Sequence, residues 1–507
     1  MSVICILILI AFSNSMSLKT DFGSIIDGDI INEPFLGGFN KPKIQWVDWD
    51  DDGDDDLFLL DEDSRIKFYK NNGCSNDECS FELIETSFQN ISNISWFYIG
   101  DFNQDVNFDI ITQDTEDLSA MMFYEGVLNE GVLMFVSVNV VLDINSNIVE
   151  SDPVMVPTFV DIDGDDDLDF FTGNSVGTVT FYENVGFQNN LPIFEYITNY
   201  WEDIYIVGSS ANQRHGASAI NFIDLDEDGD YDLTWGDYFQ QSLYIIWNIG
   251  DEEEVNMDNV NFLNQYPINE PAITAGLNMP SFSDVDNDGD NDLFISVLSG
   301  AYGFQLKNNF MFYEKEDDFE LKTMNFLETF DLLSDINIKF EDLDSDNDLD
   351  LIVGTDFDPS DFPWSGKVWF YENVGLDING EPIWSNVDFN LINGNEGNNF
   401  SPAFADIDLD SDLDMFVGNF NGTISFYRNE SSLDGVEYVY VEDIPNIDLS
   451  GYSTPELVDI DCDQDYDLFI GELNGNIFYY ENIGTSYQYD FNLISNFFAD
   501  ISVIHRS

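Results

Sequence analysis

The feature that most constrains this chain is a nine-residue acidic frame in which aspartate recurs at alternate positions and an apolar run follows at once. The copy that begins at Asp161 reads Asp-Ile-Asp-Gly-Asp-Asp-Asp-Leu-Asp and continues into Phe170 and Phe171. A tightly curled loop turns alternate side chains inward, so carboxylates at positions 1, 3, 5 and 9 can converge on one hard cation. The frame therefore predicts a metal-binding loop that enters a β-strand.

The frame occurs eight times, and successive copies start 53 to 64 residues apart. The four ligand positions are aspartate in every copy except for Asn103, which still offers a carbonyl oxygen. A spacing filled this regularly predicts one repeat array rather than several unrelated domains. The predicted metal ligands are Asp48, Asp50, Asp52 and Asp56; Asp101, Asn103, Asp105 and Asp109; Asp161, Asp163, Asp165 and Asp169; Asp224, Asp226, Asp228 and Asp232; Asp284, Asp286, Asp288 and Asp292; Asp342, Asp344, Asp346 and Asp350; Asp406, Asp408, Asp410 and Asp414; and Asp459, Asp461, Asp463 and Asp467.

Calcium is the expected ion, with up to eight bound and one in each repeat. A flexible loop rich in carboxylates suits Ca²⁺ better than the smaller Mg²⁺, and the backbone carbonyl of position 7 can add a ligand. Position 6 must tolerate a positive φ, which Gly53, Gly229 and Gly289 do and Val106 does not. The second loop is therefore the doubtful site, and a solvated acidic turn without metal is the alternative.

Four extended segments in each repeat predict an all-β chain. In the third repeat they are 154–160, 168–172, 177–184 and 192–197, and the third segment carries a Phe-Tyr-Glu-Asn marker that recurs in similar form eight times. Small antiparallel sheets of this kind must stack on one another to bury both faces, and radial stacking gives a β-propeller. We expect a single propeller domain over residues 18–507 with eight four-stranded blades, or seven as the alternative. The C-terminal tail or the segment 25–35 could close the ring.

Two features of the sequence indicate secretion: an apolar leader and a pair of cysteines. Residues 3–12 are apolar but too few to span a bilayer, which predicts a signal peptide over residues 1–17, with a buried first strand as the alternative. Cys74 and Cys79 lie close together in a polar loop, and an oxidising compartment would favour a local disulfide there. Cys462 falls at a non-ligand position and is expected to be unpaired. The chain is thus expected to be secreted or at the cell surface.

The net charge limits the class of partner. Fourteen basic against 100 acidic residues give 14 − 100 = −86. Such a chain repels nucleic acids and anionic membranes, so an extracellular protein or glycan is the expected partner. No segment after the leader is apolar enough for a transmembrane anchor, and a monomer is expected.

These loops, together with trailing segments such as Phe171-Thr172-Gly173 and Ile352-Val353-Gly354, resemble those of the FG-GAP or VCBS repeat proteins, of which the integrin α-subunit heads are members. The resemblance covers roughly residues 42–494. It implies calcium in the loops, stiffening of the blades, and adhesion or binding through a face of the ring. Integrin-type members commonly have seven blades, and this chain lacks the leg domains of those receptors.

The residue inventory argues against catalysis, and no catalytic residue or organic cofactor is predicted. Only His215 and His505 are available to a nucleophilic triad, and the thiolate and imidazole cluster of a zinc enzyme is missing. A pair of carboxylates at a workable separation is nearly certain among 100 acids and is therefore uninformative. The alternative function is a propeller-type enzyme acting on polysaccharides, either a lyase or a glycosidase.

Overall fold

A computed structural model describes residues 24–26, 29–31, 38–75, 78–129, 131–206, 217–250, 255–316, 318–329, 331–333, 335–357, 364–377, 380, 382–392, 397–431, 436–485 and 487–501. The predicted signal peptide, His215 and His505 lie outside these residues. The described residues form strands and three short 3-10 turns, at Phe88–Asn90, Trp201–Asp203 and Phe498–Asp500. Among them, no helix is long and apolar enough to cross a membrane. The chain is all-β, as predicted.

Each repeat forms one antiparallel sheet, because the apolar segment before the acidic loop pairs with the segment that leaves it. We number the sheets 1 to 8 in chain order, and the strands of each sheet also in chain order, so that the acidic loop connects the first strand to the second. The first four sheets contain the strands Lys43–Val47, Asp56–Leu60, Ile66–Ser75 and Glu78–Glu85; Phe97–Gly100, Asp109–Gln113, Met121–Asn129 and Val132–Val140; Thr158–Val160, Asp169–Gly173, Val179–Gln188 and Leu191–Thr198; and Ser218–Ile223, Asp232–Asp237 and Leu243–Ile246.

The other four sheets follow the same order of strands. They contain Asn278–Ser283, Asp292–Val297, Phe310–Lys315 and Phe319–Thr323; Asn337–Glu341, Asp350–Gly354, Val368–Leu376 and Pro382–Asn390; Ser401–Ala405, Asp414–Gly418, Ile424–Asn429 and Tyr438–Asp443; and Ser453–Val458, Asp467–Glu472, Ile477–Asn482 and Phe491–Ser495. Short extra strands extend the outer edges of two sheets: Leu142–Asp143 pairs with sheet 3, and the hairpin of Ser24–Ile26 and Asp29–Ile31 pairs with sheet 6. The eight sheets agree with the eight predicted repeats.

Neighbouring sheets pack through two faces that alternate along the second strand. The residue directly after the position-9 aspartate points to what we call the rear face, and the next residue points to the forward face. In sheet 1 these are Leu57 and Phe58, which are both fully buried. Phe58 lies in one cluster with Phe97 and Ile110 of sheet 2. The forward faces of sheets 1 to 4, 6 and 7 pack in this way on the rear face of the following sheet.

This stacking closes on itself after the fifth sheet. The rear face of sheet 1 lies against the forward face of sheet 5, where the rings of Trp46 and Phe294 are 4.5 Å apart. Across the same seam, Asn71 Nδ2 donates a hydrogen bond to the carbonyl oxygen of Val285 at 3.4 Å. The first strands of sheets 1 to 5 together line a cavity of about 180 Å³. Radial sheets around a central cavity are the arrangement of a β-propeller.

Sheets 6, 7 and 8 form a separate run of contacts. Ile352 and Phe370 of sheet 6 pack on Met415 of sheet 7, and Phe416 of sheet 7 packs on Leu468 of sheet 8. The sequence predicts one ring of eight blades, or seven as the alternative, and this count is not confirmed. Among the described residues, the apolar clusters join sheets 1 to 5 in a cycle and sheets 6 to 8 in a separate run. The physical reason is that all rear faces have the same apolar chemistry, so the pattern of residues fixes the number of sheets but not which pair of faces meets.

Candidate metal centre

The acidic loops connect the first and second strands of each sheet and share one hydrogen-bonded form. The carboxylate at position 1 accepts the backbone N–H groups of positions 5 and 6 in all eight loops. In the first loop, Asp52 N–H and Gly53 N–H donate to Asp48 at 3.1 Å each. The corresponding contacts in the other seven loops are 2.8 to 3.1 Å long. The sequence therefore curls the backbone around its own first aspartate.

Positive φ angles complete this curl. Position 6 has φ between 69° and 104° in every loop, as predicted, at Gly53, Val106, Asp166, Gly229, Gly289, Asn347, Ser411 and Gln464. Position 4 is also left-handed throughout, with φ from 57° to 74° at Asp51, Gln104, Gly164, Glu227, Asn287, Ser345, Leu409 and Cys462. The requirement at position 4 was not expected, because glycine occurs there only in the third loop.

The side chains at positions 1, 3 and 5 converge as the spacing predicts. In the first, third, fourth and fifth loops, one carboxylate oxygen from each lies within 4.8 Å of the other two, in the sets Asp48, Asp50 and Asp52; Asp161, Asp163 and Asp165; Asp224, Asp226 and Asp228; and Asp284, Asp286 and Asp288. In the sixth loop the corresponding set is Asp342, Asp344 and Asp350. Burial, and then the charge of Asp165, raises the pKa of Asp163. The chain has thus gathered carboxylates that repel one another.

Position 9 has a second task that the sequence pattern did not indicate. Its carboxylate is buried and accepts a backbone N–H at 2.7 to 3.0 Å in every sheet, from the third strand in seven sheets and from just after that strand in sheet 4. In sheet 4, Asp232 accepts Asn248 N–H at 2.7 Å with one oxygen and Leu225 N–H at 3.2 Å with the other. This aspartate therefore ties the loop to the sheet. In Asp169, Asp292 and Asp414 the second oxygen has no hydrogen-bond donor and remains available to a cation.

Position 7 offers a side-chain oxygen to a cation, whereas the sequence indicated only its backbone carbonyl as a possible ligand. Five aspartates at this position hold a buried carboxylate oxygen that receives no hydrogen bond: Asp167, Asp230, Asp348, Asp412 and Asp465. Burial, followed by the charge of Asp165, raises the pKa of Asp167 to about 7. The signal in the sequence is the aspartate itself, which stands at position 7 in seven of the eight loops.

These orphaned oxygens test whether a cation fits the loops. A buried polar atom without a partner costs free energy, and an ionised carboxylate costs more. Hydrogen-bond donors of the loop backbone are already engaged by positions 1 and 5, as shown by Asp167 N–H donating to Asp165 at 3.2 Å. A hard divalent cation that binds several oxygens satisfies the remaining atoms. The donor set therefore fits calcium.

In the first loop, a lysine side chain places a positive charge beside the aspartates. The ammonium group of Lys70 forms ion pairs with Asp50 and with Asp52, the second at 3.1 Å. Lys70 stands on the third strand, where sheet 3 has Glu183, whose pKa is raised by burial and then by Asp163. A similar cation occurs in sheet 7, where Arg428 Nε is 3.8 Å from Asp408. A fixed positive charge at these positions would compete with a bound cation.

Replacing Lys70 by glutamine is expected to strengthen calcium binding at the first loop by roughly tenfold, since a positive charge beside the ion is removed. Isothermal titration of the two proteins would measure this as one additional tight site. Lys67→Gln is the matched control, because Lys67 pairs with Asp63 at 2.9 Å outside the loop. Equal calcium binding by K70Q and the unchanged chain would contradict this role of Lys70.

Among the residues at position 6, the β-branched Val106 is the least suited to a left-handed backbone conformation. Its φ is 77°, and the residue is 94% exposed. A left-handed conformation costs an L-residue about 1–2 kcal/mol, so Val106→Gly should stabilise the chain by roughly 1 kcal/mol. The reverse change, Gly289→Val, should destabilise it by a similar amount, although a Cβ atom there meets nothing within 4 Å. Thermal melts of both variants would measure the difference, and a lower melting temperature for V106G would contradict it.

The cysteines follow the sequence expectation. Cys74 and Cys79 form a disulfide between the third and fourth strands of sheet 1. Cys462 is exposed and unpaired.

Comparisons with known proteins find one family of repeats that is similar to the first two loops. The family model described as an FG-GAP-like repeat matches residues 48–112, an interval that begins with the first acidic loop and contains the second. No curated protein matches the chain significantly. Among solved structures, the crystal structure of BBS1N in complex with ARL6DN, soaked with lead, matches with a TM-score of 0.22 and 9% identity, over 76% of this chain and 78% of that chain. Residues 48–112 are therefore similar to an FG-GAP-like repeat, and the loop and sheet of this interval recur along the described residues.

Proposed function

We propose that this chain is a secreted or cell-surface, calcium-stabilised β-propeller scaffold that binds an extracellular protein or glycan, and that it is not an enzyme. The observation that carries the proposal is the set of buried carboxylate oxygens without donors in the acidic loops. They recur at the same positions of several sheets, which suits an ion needed by every sheet. A catalytic metal would be expected at one place.

Calcium would be held by positions 1, 3 and 5, with position 7 and the free oxygen of position 9 where these lack a donor. The ion supplies positive charge at the start of the second strand. The residues of the chain do the rest: position 1 holds the loop closed, and position 9 fixes the loop to the third strand. Loading the loops should therefore stiffen each sheet near its acidic end.

An extracellular location is supported by the disulfide, which is stable in an oxidising compartment. The charge of −86 favours a partner with basic groups, or a glycan, over nucleic acid. The contacts between sheets support a propeller of five blades over sheets 1 to 5 with a shorter arc over sheets 6 to 8, in place of a single eight-bladed ring. A role in adhesion is supported by the similarity of residues 48–112 to an FG-GAP-like repeat.

Chelation tests the proposal. Each ion bound at a hundred times its Kd adds about 2.7 kcal/mol of stability, so EDTA should lower the melting temperature by about 10 °C or more. Capture of extracellular protein and binding to a glycan array should be lost over the same range of free calcium. Magnesium at equal concentration is the control and should not restore either property. An unchanged melting temperature in EDTA would refute the proposal.

A further inference from the structure

One forward face in the described part of the chain has no sheet packed against it. The forward-face residue of the second strand is fully buried in seven sheets, at Phe58, Ile111, Phe171, Thr234, Phe294, Ile352 and Phe416. Its counterpart in sheet 8, Phe469, is only partly buried. Sheet 8 follows the same sequence pattern as the other sheets. The greater exposure of Phe469 therefore reflects the lack of a covering sheet and not a different set of side chains on this face.

The aromatic cluster on this face repeats two clusters that are covered. In sheet 1, the ring centroids of Phe58 and Phe68 lie 4.8 Å apart, and Phe88 from the following 3-10 turn stands 5.0 Å from Phe58. In sheet 8, Phe469 and Tyr479 are 4.8 Å apart, and Phe498 stands 5.0 Å from Phe469. The geometry is the same.

Sheet 3 repeats this cluster a third time. Phe171 and Phe181 are 4.6 Å apart, and Trp201 is 4.9 Å from Phe171. Trp201 and its counterpart in sheet 1 are buried beneath the next sheet, whereas Phe498 remains partly exposed and its neighbour Phe497 is 40% exposed. The forward face of sheet 8 therefore has the form of a contact between sheets, with its partner missing.

One rear face is exposed along its first strand, although Leu351 and Val353 of its second strand are buried. On the first strand of sheet 6, Ile338 and Phe340 point to the rear face, beside Val353 and Leu351, and are 45% and 46% exposed. The residues in register with Phe340 in the other seven sheets are buried or partly buried: Trp46, Ile99, Phe159, Phe222, Phe282, Phe404 and Leu457. Among the described strands, this is the one rear face whose first-strand residues are exposed to this extent.

We propose that a second copy of this chain covers both faces, with the forward face of sheet 8 of each copy packed on the rear face of sheet 6 of the other. The seven contacts inside the chain already join a forward face to a rear face, so the new contact continues an established interface. Sheets 6, 7 and 8 form a continuous arc with one partly exposed face of each kind at its ends. A two-fold axis forms both contacts at once. The result is a dimer in place of the monomer expected from the sequence.

Charge sets the conditions under which this dimer forms. Two chains of −86 repel each other, and salt screens repulsion between exposed charges. Next to the two faces, Lys339 of sheet 6 and Glu456 of sheet 8 form an ion pair at 2.5 Å within one copy, which removes one charge of each sign from this region. The dimer should therefore require calcium and an ionic strength of about 0.5 M or more.

Light scattering and sedimentation equilibrium of the whole chain under these conditions test the proposal. The unchanged chain should have the mass of a dimer, whereas Phe469→Glu and Phe340→Glu should each shift it to the monomer mass. Val136→Glu is the matched control: Val136 is also 52% exposed on a strand, but it lies on the outer strand of sheet 2, so the dimer should persist.

A mixture of the two variants distinguishes this geometry from other dimers. When F469E and F340E are combined, one of the two contacts has both faces intact, and dimer should partly return. This recovery also shows that each variant is folded. The proposal is overturned if the unchanged chain is a monomer at about 100 μM in high salt with calcium, which would leave the faces to a different protein. It is likewise overturned if either variant remains fully dimeric or if the mixture stays monomeric.

Discussion

Asp232→Ala is expected to destabilise the chain by about 3 kcal/mol or more, whether or not calcium is present, since it leaves two buried N–H groups without an acceptor. Asp232 is fully buried and accepts hydrogen bonds from Asn248 and Leu225 at 2.7 and 3.2 Å. Thermal melts in EDTA and in calcium would both show the loss. The same position in other sheets should behave alike, because each position-9 aspartate accepts an N–H from the third strand or from just after it.

Asp226→Ala in the same loop is the control that separates the two tasks. Asp226 is exposed at position 3, where burial and then the charges of Asp228 and Asp224 raise its pKa. In EDTA this change should leave the melting temperature equal or slightly higher, because it relieves repulsion between carboxylates. In calcium it should remove the contribution of one ion. If D232A melted like the unchanged chain in EDTA, position 9 would have no structural task of its own.

The stabilisation by calcium should grow as pH rises from about 5 to about 8. Burial raises the pKa of Asp169 to about 8, and it raises the pKa of Asp109, Asp232, Asp292 and Asp414 to about 7. These groups bind protons more tightly in the folded chain than in the unfolded chain. Without calcium, stability should therefore be greatest at low pH and fall as pH rises through about 4 to 8.

Bound calcium would replace those protons, so the difference between melting temperatures in calcium and in EDTA should be small near pH 5 and largest near pH 8. Melts at several pH values with both additions give this difference directly. A difference as large at pH 5 as at pH 8 would show that the ion does not compete with protons for these carboxylates.

The local structure could be predicted from the sequence where a residue type answers a local demand. The frame at Asp161 predicts a loop followed by a buried strand, and Gly53 and Gly229 indicate the positive φ that every loop then adopts. The pairing of Cys74 with Cys79 was likewise predicted from proximity and was confirmed. In each case the atoms that decide the outcome are only a few residues apart.

What the sequence did not indicate depends on contacts between distant segments. The seam between Trp46 and Phe294 joins sheets 1 and 5, and an apolar pattern is the same whichever sheet it faces. The ion pairs of Lys70 with the first loop depend on how the third strand lies beside it. The assignment of bound ions to the predicted ligands remains a prediction.

Equilibrium binding of calcium to the whole chain tests the central claim most directly. Flow dialysis with radioactive calcium near pH 8 would count the ions bound per chain, and a pH indicator would record the protons released. The account predicts several ions per chain, a release of protons on binding, and loss of one ion in Asp163→Ala. A chain that binds no calcium at millimolar concentration would contradict it.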